Sequence, residues 1–171
     1  MNRKLGLLIL VLALASVAFA DEHKSIVAPN PSFDKMKSLD GSWTGTMSDS
    51  GKEYPATARF KTISDGSALM GWLGEGTPEE MVTVFHMDGD VLMATHYCAA
   101  HNQPRFVAAP GNNSNQIVFS FKDGTNISPH HGHMQSVTFT FDGPDHHTED
   151  WGYVDANGVV TNGHFDFKRK K

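Results

Sequence analysis

Short apolar runs separated by turn residues follow one another along most of this chain. In the segments 117–121, 137–141 and 165–167, apolar side chains occupy every second position, with mostly polar residues between them. Successive residues of a β-strand point to opposite faces of the sheet. The pattern therefore predicts strands that have one apolar face and one polar face.

Ten such runs can be placed between turn signals such as Asp65-Gly66, Asp88-Gly89 and Asn157-Gly158. They cover residues 42–47, 56–63, 68–74, 81–87, 91–98, 105–109, 116–121, 134–141, 147–154 and 159–168. The short links predict an all-β, up-and-down antiparallel arrangement. Closure of the sheet into a barrel would remove its exposed edges, and a two-sheet sandwich is the alternative.

One short helix is predicted before the first strand, over residues 33–39. Its apolar residues Phe33, Met36 and Leu39 are spaced by three and lie near one face, Ser32 can cap its start, and Gly41 ends it. The expected fold is therefore a barrel of about ten strands preceded by a short helix.

The first twenty residues have the layout of a secretory signal: two basic residues, an apolar stretch and an Ala-Phe-Ala ending. We expect cleavage there, a flexible lead-in over residues 21–31 and a single barrel domain over 32–171. The apolar stretch is short for a membrane-spanning helix. The protein is therefore expected to be periplasmic or secreted and not membrane-embedded after cleavage, with an uncleaved anchor as the alternative.

Charge and cysteine content narrow the classes of partner. The chain has 14 Lys and Arg against 19 Asp and Glu, for a formal charge of −5, and loss of the two leader cations makes the mature protein more negative. Nucleic acid is therefore not an expected partner, since binding phosphates needs a clustered basic surface. Cys98 is the only cysteine, so no intramolecular disulfide can form.

Gly41-Ser42-Trp43, at the head of the first strand, resembles the Gly-x-Trp signature of lipocalin-like, or calycin, barrels. The segment 147–169 resembles the ending of uncharacterised bacterial secreted proteins of the DUF1579 type. The resemblance implies that Trp43 plugs one end of the barrel beneath a basic side chain of the last strand, which would be Arg169. It also implies binding of small molecules in the barrel, and it carries over no catalytic residue.

The hairpin around Asp88-Gly89 leads into the first candidate site. A two-residue turn there would pair Met87 with Asp90, and would place Phe85, Ala94 and His96 on one face. We expect His96, Tyr97, Gln103 and Arg105 at the mouth of the barrel, where the Arg105 guanidinium could grip an anion with two hydrogen bonds. Phe119, Phe139 and Phe165 are expected to line the wall.

A second candidate is Glu149, which shares a face with His147 and Trp151. If this face lines the barrel, Glu149 would be a buried carboxylate. It would then belong to the ligand site, act as an acid or base, or receive Arg105 as a partner.

His96, Cys98 and His101 offer two imidazoles and a thiol at a spacing compatible with copper or zinc. Only three ligands are available, and the alternative is that His96 bonds a loop carbonyl while Cys98 packs. His130, His131 and His133 form a second histidine group in a loop, which either collects a metal ion or is simply solvated.

Three functions are consistent with these residues. The first hypothesis is an exported lipocalin-like protein that binds a small apolar or amphipathic molecule. The second is a copper- or zinc-binding protein using His96, Cys98 and His101. The third is an enzyme with His96 or Glu149 as general base and Arg105 beside a developing oxyanion. No motif identifies catalytic residues.

Overall fold

The computed structural model describes residues 29–110 and 115–171, so the predicted signal and most of the lead-in lie outside the described residues. The described residues form one helix and ten strands: α1 Pro31–Lys37, β1 Gly41–Asp49, β2 Lys52–Ile63, β3 Ala68–Leu73, β4 Met81–Asp88, β5 Val91–Tyr97, β6 Gln103–Ala108, β7 Gln116–Thr125, β8 His133–Phe141, β9 His146–Val154 and β10 Val160–Arg169.

The strands form a closed antiparallel barrel. Each strand pairs with its neighbours in sequence, and β1 pairs with β10 to complete the ring. This confirms the up-and-down barrel and excludes the two-sheet sandwich. Closure satisfies the backbone groups that an open sheet would leave at its two edges.

The helix α1 begins two residues earlier than the sequence pattern predicts. Asn30 is the N-cap, since its side-chain oxygen accepts a hydrogen bond of 3.0 Å from the backbone nitrogen of Phe33. Pro31 is favourable in the first turn because its ring already has the helical φ and no N–H is needed there. The three predicted apolar residues, Phe33, Met36 and Leu39, are buried against the barrel.

The end of the barrel next to α1 is closed by Trp43, as the lipocalin resemblance implies. Trp43 is 2% exposed, and its indole nitrogen donates a 2.8 Å hydrogen bond to the carbonyl of Leu39. The Arg169 guanidinium lies 4.2 Å from the centre of the indole ring. It also donates hydrogen bonds to the carbonyls of Ser38 and Asp40, so it joins the helix, the first strand and the last strand. We call this the closed end.

The β4–β5 hairpin differs from its predicted register. Asp88 pairs with Val91 and Met87 with Leu92, because the turn lies at Gly89 and Asp90, with Gly89 at φ 61°. The change shifts the pairing by two residues, and a two-residue shift leaves every side chain on its original face. His96 therefore still points inward, as the alternation predicts.

Aromatic rings fill the barrel from the closed end to its middle. They are fully buried and contact one another at centroid distances near 6 Å, as in Phe85 with Phe119 at 5.6 Å and Phe60 with Phe139 at 6.4 Å. Gly71 makes room for one of them, since a Cβ there would lie 2.7 Å from the ring of Phe60. Only about 10 Å³ of free space lies beside these rings, about enough for one water molecule.

Candidate functional site

The end opposite α1 is not filled. It is where β1, β3, β5, β7 and β9 end, and it contains a cavity of about 180 Å³, which we call the inner cavity. Its wall is mostly apolar, with a few polar groups, and is formed by Met47, Leu73, Met81, Met134, Trp151 and Phe165 together with Asp49, His96, Tyr153, Thr161 and Gly163. We call this the open end.

A larger space of about 760 Å³ adjoins the inner cavity, and we call it the outer groove. The two share Met47, Leu73, Met81 and Phe165 in their walls. The outer groove continues between the start of β2 and the β3–β4 loop, where its walls include Tyr54, Pro55, Pro78 and Glu79. The two spaces adjoin at the four residues that they share, and together we call them the depression at the open end.

His96 lies in the wall of the inner cavity and carries an unsatisfied polar atom. It is 1% exposed, and its Nδ1 lies 2.8 Å from the hydroxyl oxygen of Thr83, its neighbour on β4. Its Nε2 has no hydrogen-bond partner among the described residues. Burial disfavours the charged imidazolium and lowers the pKa of His96 to about 4. The side chain is therefore neutral at physiological pH.

The inward side chains of β9 link the inner cavity to the closed end. The carboxylate of Glu149 accepts a hydrogen bond of 2.8 Å from the indole nitrogen of Trp151, and its other oxygen lies 3.1 Å from Nε2 of His147. The His147 ring meets Trp43 edge-on at 4.3 Å. At the other end, the Trp151 ring lies 4.8 Å from that of His96.

Glu149 is thus a buried carboxylate, 2% exposed, as an inward-facing β9 requires. Its partners differ from the one considered from sequence, since Trp151 and His147 take the place of Arg105. A buried carboxylate needs hydrogen-bond donors to offset its desolvation, and these two supply them. One consequence is that Glu149 fixes the orientation of Trp151 in the wall of the inner cavity.

Tyr97 and Arg105 were predicted at the mouth of the barrel, and this prediction is wrong. Both belong to the outward face, because Arg105 pairs with Thr95, one residue out of phase with His96. Arg105 forms an ion pair of 2.5 Å with Asp123 on the outside of the barrel, and Tyr97 is 52% exposed. Arg105 therefore cannot share a site with His96 or Glu149. It neither binds an anion at the mouth beside His96 nor stabilises an oxyanion formed there.

Gln103 lies at the start of β6, near the open end but outside the wall of either cavity. Its side-chain oxygen lies 3.5 Å from the amide nitrogen of Asn126, a residue of the neighbouring loop. Asn102, immediately before it, is buried and donates a 2.9 Å hydrogen bond to the carbonyl of Gly132. This part of the rim connects two loops and does not form the pocket.

The three residues proposed to bind a metal ion are not brought together. His96 is bonded to Thr83 in the barrel, whereas His101 is exposed in the loop at φ 62°. Cys98 is a half-buried thiol whose pKa is raised by burial, which disfavours the thiolate that binds metals. Within residues 29–110 and 115–171, no three His, Cys, Asp or Glu side chains are grouped to hold an ion.

Several residues of the open end were not predicted from sequence. Thr83 was missed because a threonine on a strand is ordinary, and only the pairing of β4 with β5 shows that it faces His96. Met47 and Gly163 come from strands that meet only when the barrel closes. For Met134, an irregularity in the β8–β9 pairing between Met134 and Ser136 changes the alternation. That irregularity leaves no signal in the sequence.

Comparison with known proteins bears on the fold alone and rests on solved structures, since no family model and no curated protein matches the chain. The crystal structure of Rv2717c from M. tuberculosis is similar with a TM-score of 0.62 at 13% identity, over 85% of this chain and 99% of that one. A Nostoc punctiforme protein of unknown function from the DUF3598 family aligns with a TM-score of 0.56 at 13% identity, over 79% of this chain and 48% of that one.

The closed ten-stranded ring and the plugged end together define a lipocalin-like β-barrel. At 13% identity the two solved structures support this fold, and no ligand or activity of this chain is inferred from them. No helix among the described residues is long and apolar enough to cross a membrane. Function must therefore be argued from the open end itself.

Proposed function

We propose that this protein is an exported lipocalin-like barrel that binds a small apolar or amphipathic molecule at its open end. The observation that carries the proposal is an apolar inner cavity with a buried histidine, His96, in its wall, whose Nε2 has no hydrogen-bond partner among the described residues. Export rests on the signal-like first twenty residues. That leader and the C-terminal segment also support kinship with the secreted DUF1579-type proteins.

The size and lining of the inner cavity favour a small apolar group as its occupant. Its volume of about 180 Å³ is similar to that of engineered cavities that hold benzene. Three methionines, Met47, Met81 and Met134, lie in its wall, and their flexible thioethers adapt to ligands of different shape. The space beside the buried rings in the middle of the barrel is only about 10 Å³, so the ligand lies at the open end and extends into the outer groove.

The polar atom at this site gives the ligand a point of attachment. An unpaired polar group in a buried site costs roughly 1 to 3 kcal/mol, and a ligand that hydrogen-bonds to Nε2 of His96 would recover part of it. Because His96 is neutral at physiological pH, this bond is to a neutral imidazole and provides no charge for an anion. The same neutral state favours binding over proton transfer as the role of His96.

The substitution Gly163→Leu tests the proposal by filling the inner cavity. Gly163 lines the cavity, and a Cβ placed there meets only the Phe165 ring at 3.8 Å, an ordinary contact. We expect uncharged probes, indole and decanol, to raise the melting temperature of the natural protein and to show saturable binding by calorimetry. Gly163→Leu should weaken this binding at least tenfold while it leaves the fold intact.

Asn162→Leu is the matched control, since it adds the same side chain at the next position of β10, which is exposed. It should bind both probes as the natural protein does. The proposal is wrong if neither probe binds the natural protein, or if Gly163→Leu and Asn162→Leu bind equally well.

A further inference from the structure

The distribution of charge along the depression at the open end indicates which kind of amphiphile it accepts. Among the described residues, no lysine or arginine lies in the wall of the inner cavity or of the outer groove. Two acidic residues do, Asp49 at the inner cavity and Glu79 at the outer groove, and both are exposed. The apolar part of the depression is thus bordered by negative charge.

Neither carboxylate is neutralised by an ion pair with a described residue. The hydroxyl of Ser50 donates a hydrogen bond to Asp49, which leaves its charge in place. Lys52 pairs with Asp49 in the backbone register of the β1–β2 hairpin, yet the ion pairs of the described residues include neither Lys52 nor Asp49. A cationic group entering the groove would therefore find carboxylates that are free to pair.

The nearest arginine does not change this balance. Arg59 lies on the outward face of β2, where its guanidinium stacks 3.6 Å from the Trp72 ring and forms a bidentate pair with Glu75. Glu80, in the same β3–β4 loop, accepts a hydrogen bond from the backbone of Gly76. The loop beside the outer groove consequently carries more negative than positive charge.

We propose that the open end binds amphiphiles with a cationic head group, such as alkylamines, and discriminates against anionic ones such as fatty acids. The apolar chain lies in the inner cavity against Trp151 and Met81, and the ammonium group lies at the exposed rim, near Asp49 of the inner cavity and Glu79 of the outer groove. This inference rests on the proposed function, because it specifies the ligand of the same site.

The opposite orientation, with a charged head inside, is disfavoured at the inner end. An anionic head would meet a neutral imidazole at His96 and the carboxylate of Glu149 behind Trp151. A cationic head placed beside Trp151 would lose its hydration, and Glu149 could not compensate, because both of its oxygens already have partners. The head group therefore remains at the solvent-exposed rim.

Three probes with the same chain length test the inference: decylamine, decanol and decanoate, each titrated calorimetrically into the full-length protein near neutral pH. We expect decylamine to bind at least tenfold more tightly than decanoate, with decanol between them. Added salt should reduce the difference between amine and acid, since exposed charges are screened.

A pair of double variants separates a local effect from the overall negative charge of the protein. Asp49→Asn with Glu79→Gln should remove the preference for amine over alcohol. Asp88→Asn with Asp90→Asn removes the same charge from exposed positions at the closed end and should keep the preference.

The outcomes distinguish this inference from the function on which it rests. If none of the three probes binds, the proposed function itself fails. If decanol binds but decanoate binds as tightly as decylamine, the binding function stands and the charge selectivity is wrong. The selectivity is also wrong if the two double variants lose the amine preference equally.

Discussion

The two ends of this barrel are built from the same strands and are packed in opposite ways. At the closed end, Trp43, Arg169 and the helix α1 fill the space, and the Trp43 indole and the Arg169 guanidinium donate hydrogen bonds to the carbonyls of Leu39, Ser38 and Asp40. At the open end, flexible methionines surround a cavity, and His96 has a nitrogen with no partner in the described part of the chain. Close packing at one end provides stability, and incomplete packing at the other leaves a place for a ligand.

Glu149 connects the two ends, because its two oxygens contact His147 on one side and Trp151 on the other. The buried carboxylate would be costly as a purely structural element. Its position indicates that the filled half of the barrel supports the wall of the open half. Stability and ligand binding are therefore expected to be coupled at this residue and separable elsewhere.

Two phenylalanines on β10 provide the strongest test of the difference between the ends. Phe167 is fully buried beside His147, whereas Phe165, two residues away, is 9% exposed and lines both cavities. Phe167→Ala should lower the free energy of unfolding by about 3 to 5 kcal/mol. Phe165→Ala should cost less than half as much, because its ring already borders empty space. Equal losses in denaturant titrations would contradict unequal packing.

Glu149→Leu should come next in size and should affect both ends. It removes the acceptor of two buried donors, so we expect a loss of roughly 3 to 4 kcal/mol in unfolding free energy. Weaker binding of decanol should accompany it, because Trp151 loses its anchor. Glu149→Gln keeps the shape and one acceptor oxygen and should show both effects at smaller size. Unchanged decanol affinity in a folded Glu149→Leu protein would show that the ends are independent.

The pH dependence of stability reports on His96. In the unfolded chain this residue takes up its proton near pH 6.5, and in the folded protein only near pH 4. Between these two pH values, the unfolded state binds more protons than the folded state. The contribution of His96 to stability is therefore complete above this window and is lost as pH falls through it. The loss approaches roughly 3 kcal/mol at the acid end.

The comparison of the natural protein with His96→Phe isolates this contribution. The pKa of His146 is raised, first by its hydrogen bond to Asp142, so its contribution to stability is lost as pH rises and not as pH falls. Because His146 is present in both proteins, this contribution cancels in the comparison. The difference in unfolding free energy between them should move in favour of His96→Phe as pH falls. A difference that stays constant across the window would mean that His96 is not buried in neutral form.

Arg105→Ala should have the smallest effect. Its ion pair with Asp123 is half exposed on the outer face, and such pairs contribute less than about 1 kcal/mol. Decanol binding should be unchanged, because Arg105 is outside both cavities. A clear loss of binding, measured by calorimetry, would return Arg105 to the mouth of the barrel and overturn its placement.

The sequence predicted the barrel better than it predicted the site. Alternation and turn residues locate all ten strands, and the alternation groups Glu149 with His147 and Trp151 on one face but leaves open whether that face points inward. The error in the hairpin register did not matter for the face of His96, since the shift was by two residues. The contact of Arg169 with Trp43 was implied by the family resemblance and is confirmed.

The site was harder to predict because it depends on which strands meet around the ring. Arg105 was assigned to the mouth from its closeness to His96 along the chain, yet the pairing of β5 with β6 places it on the other face. The wall residues Met47, Met134 and Gly163 lie far apart in sequence. The free volume at the open end is a result of packing, which no local pattern of residues encodes.

Ligand binding at the inner cavity is tested most directly by a crystal structure of the protein soaked with decanol that carries a terminal bromine. Anomalous scattering from the bromine locates the chain without assumptions about its pose. We predict a bromine peak within the depression at the open end, with the chain against Trp151 and Met81. A bromine peak found only on the outer surface of the barrel, or an inner cavity that stays empty at saturating ligand, would contradict the proposed function.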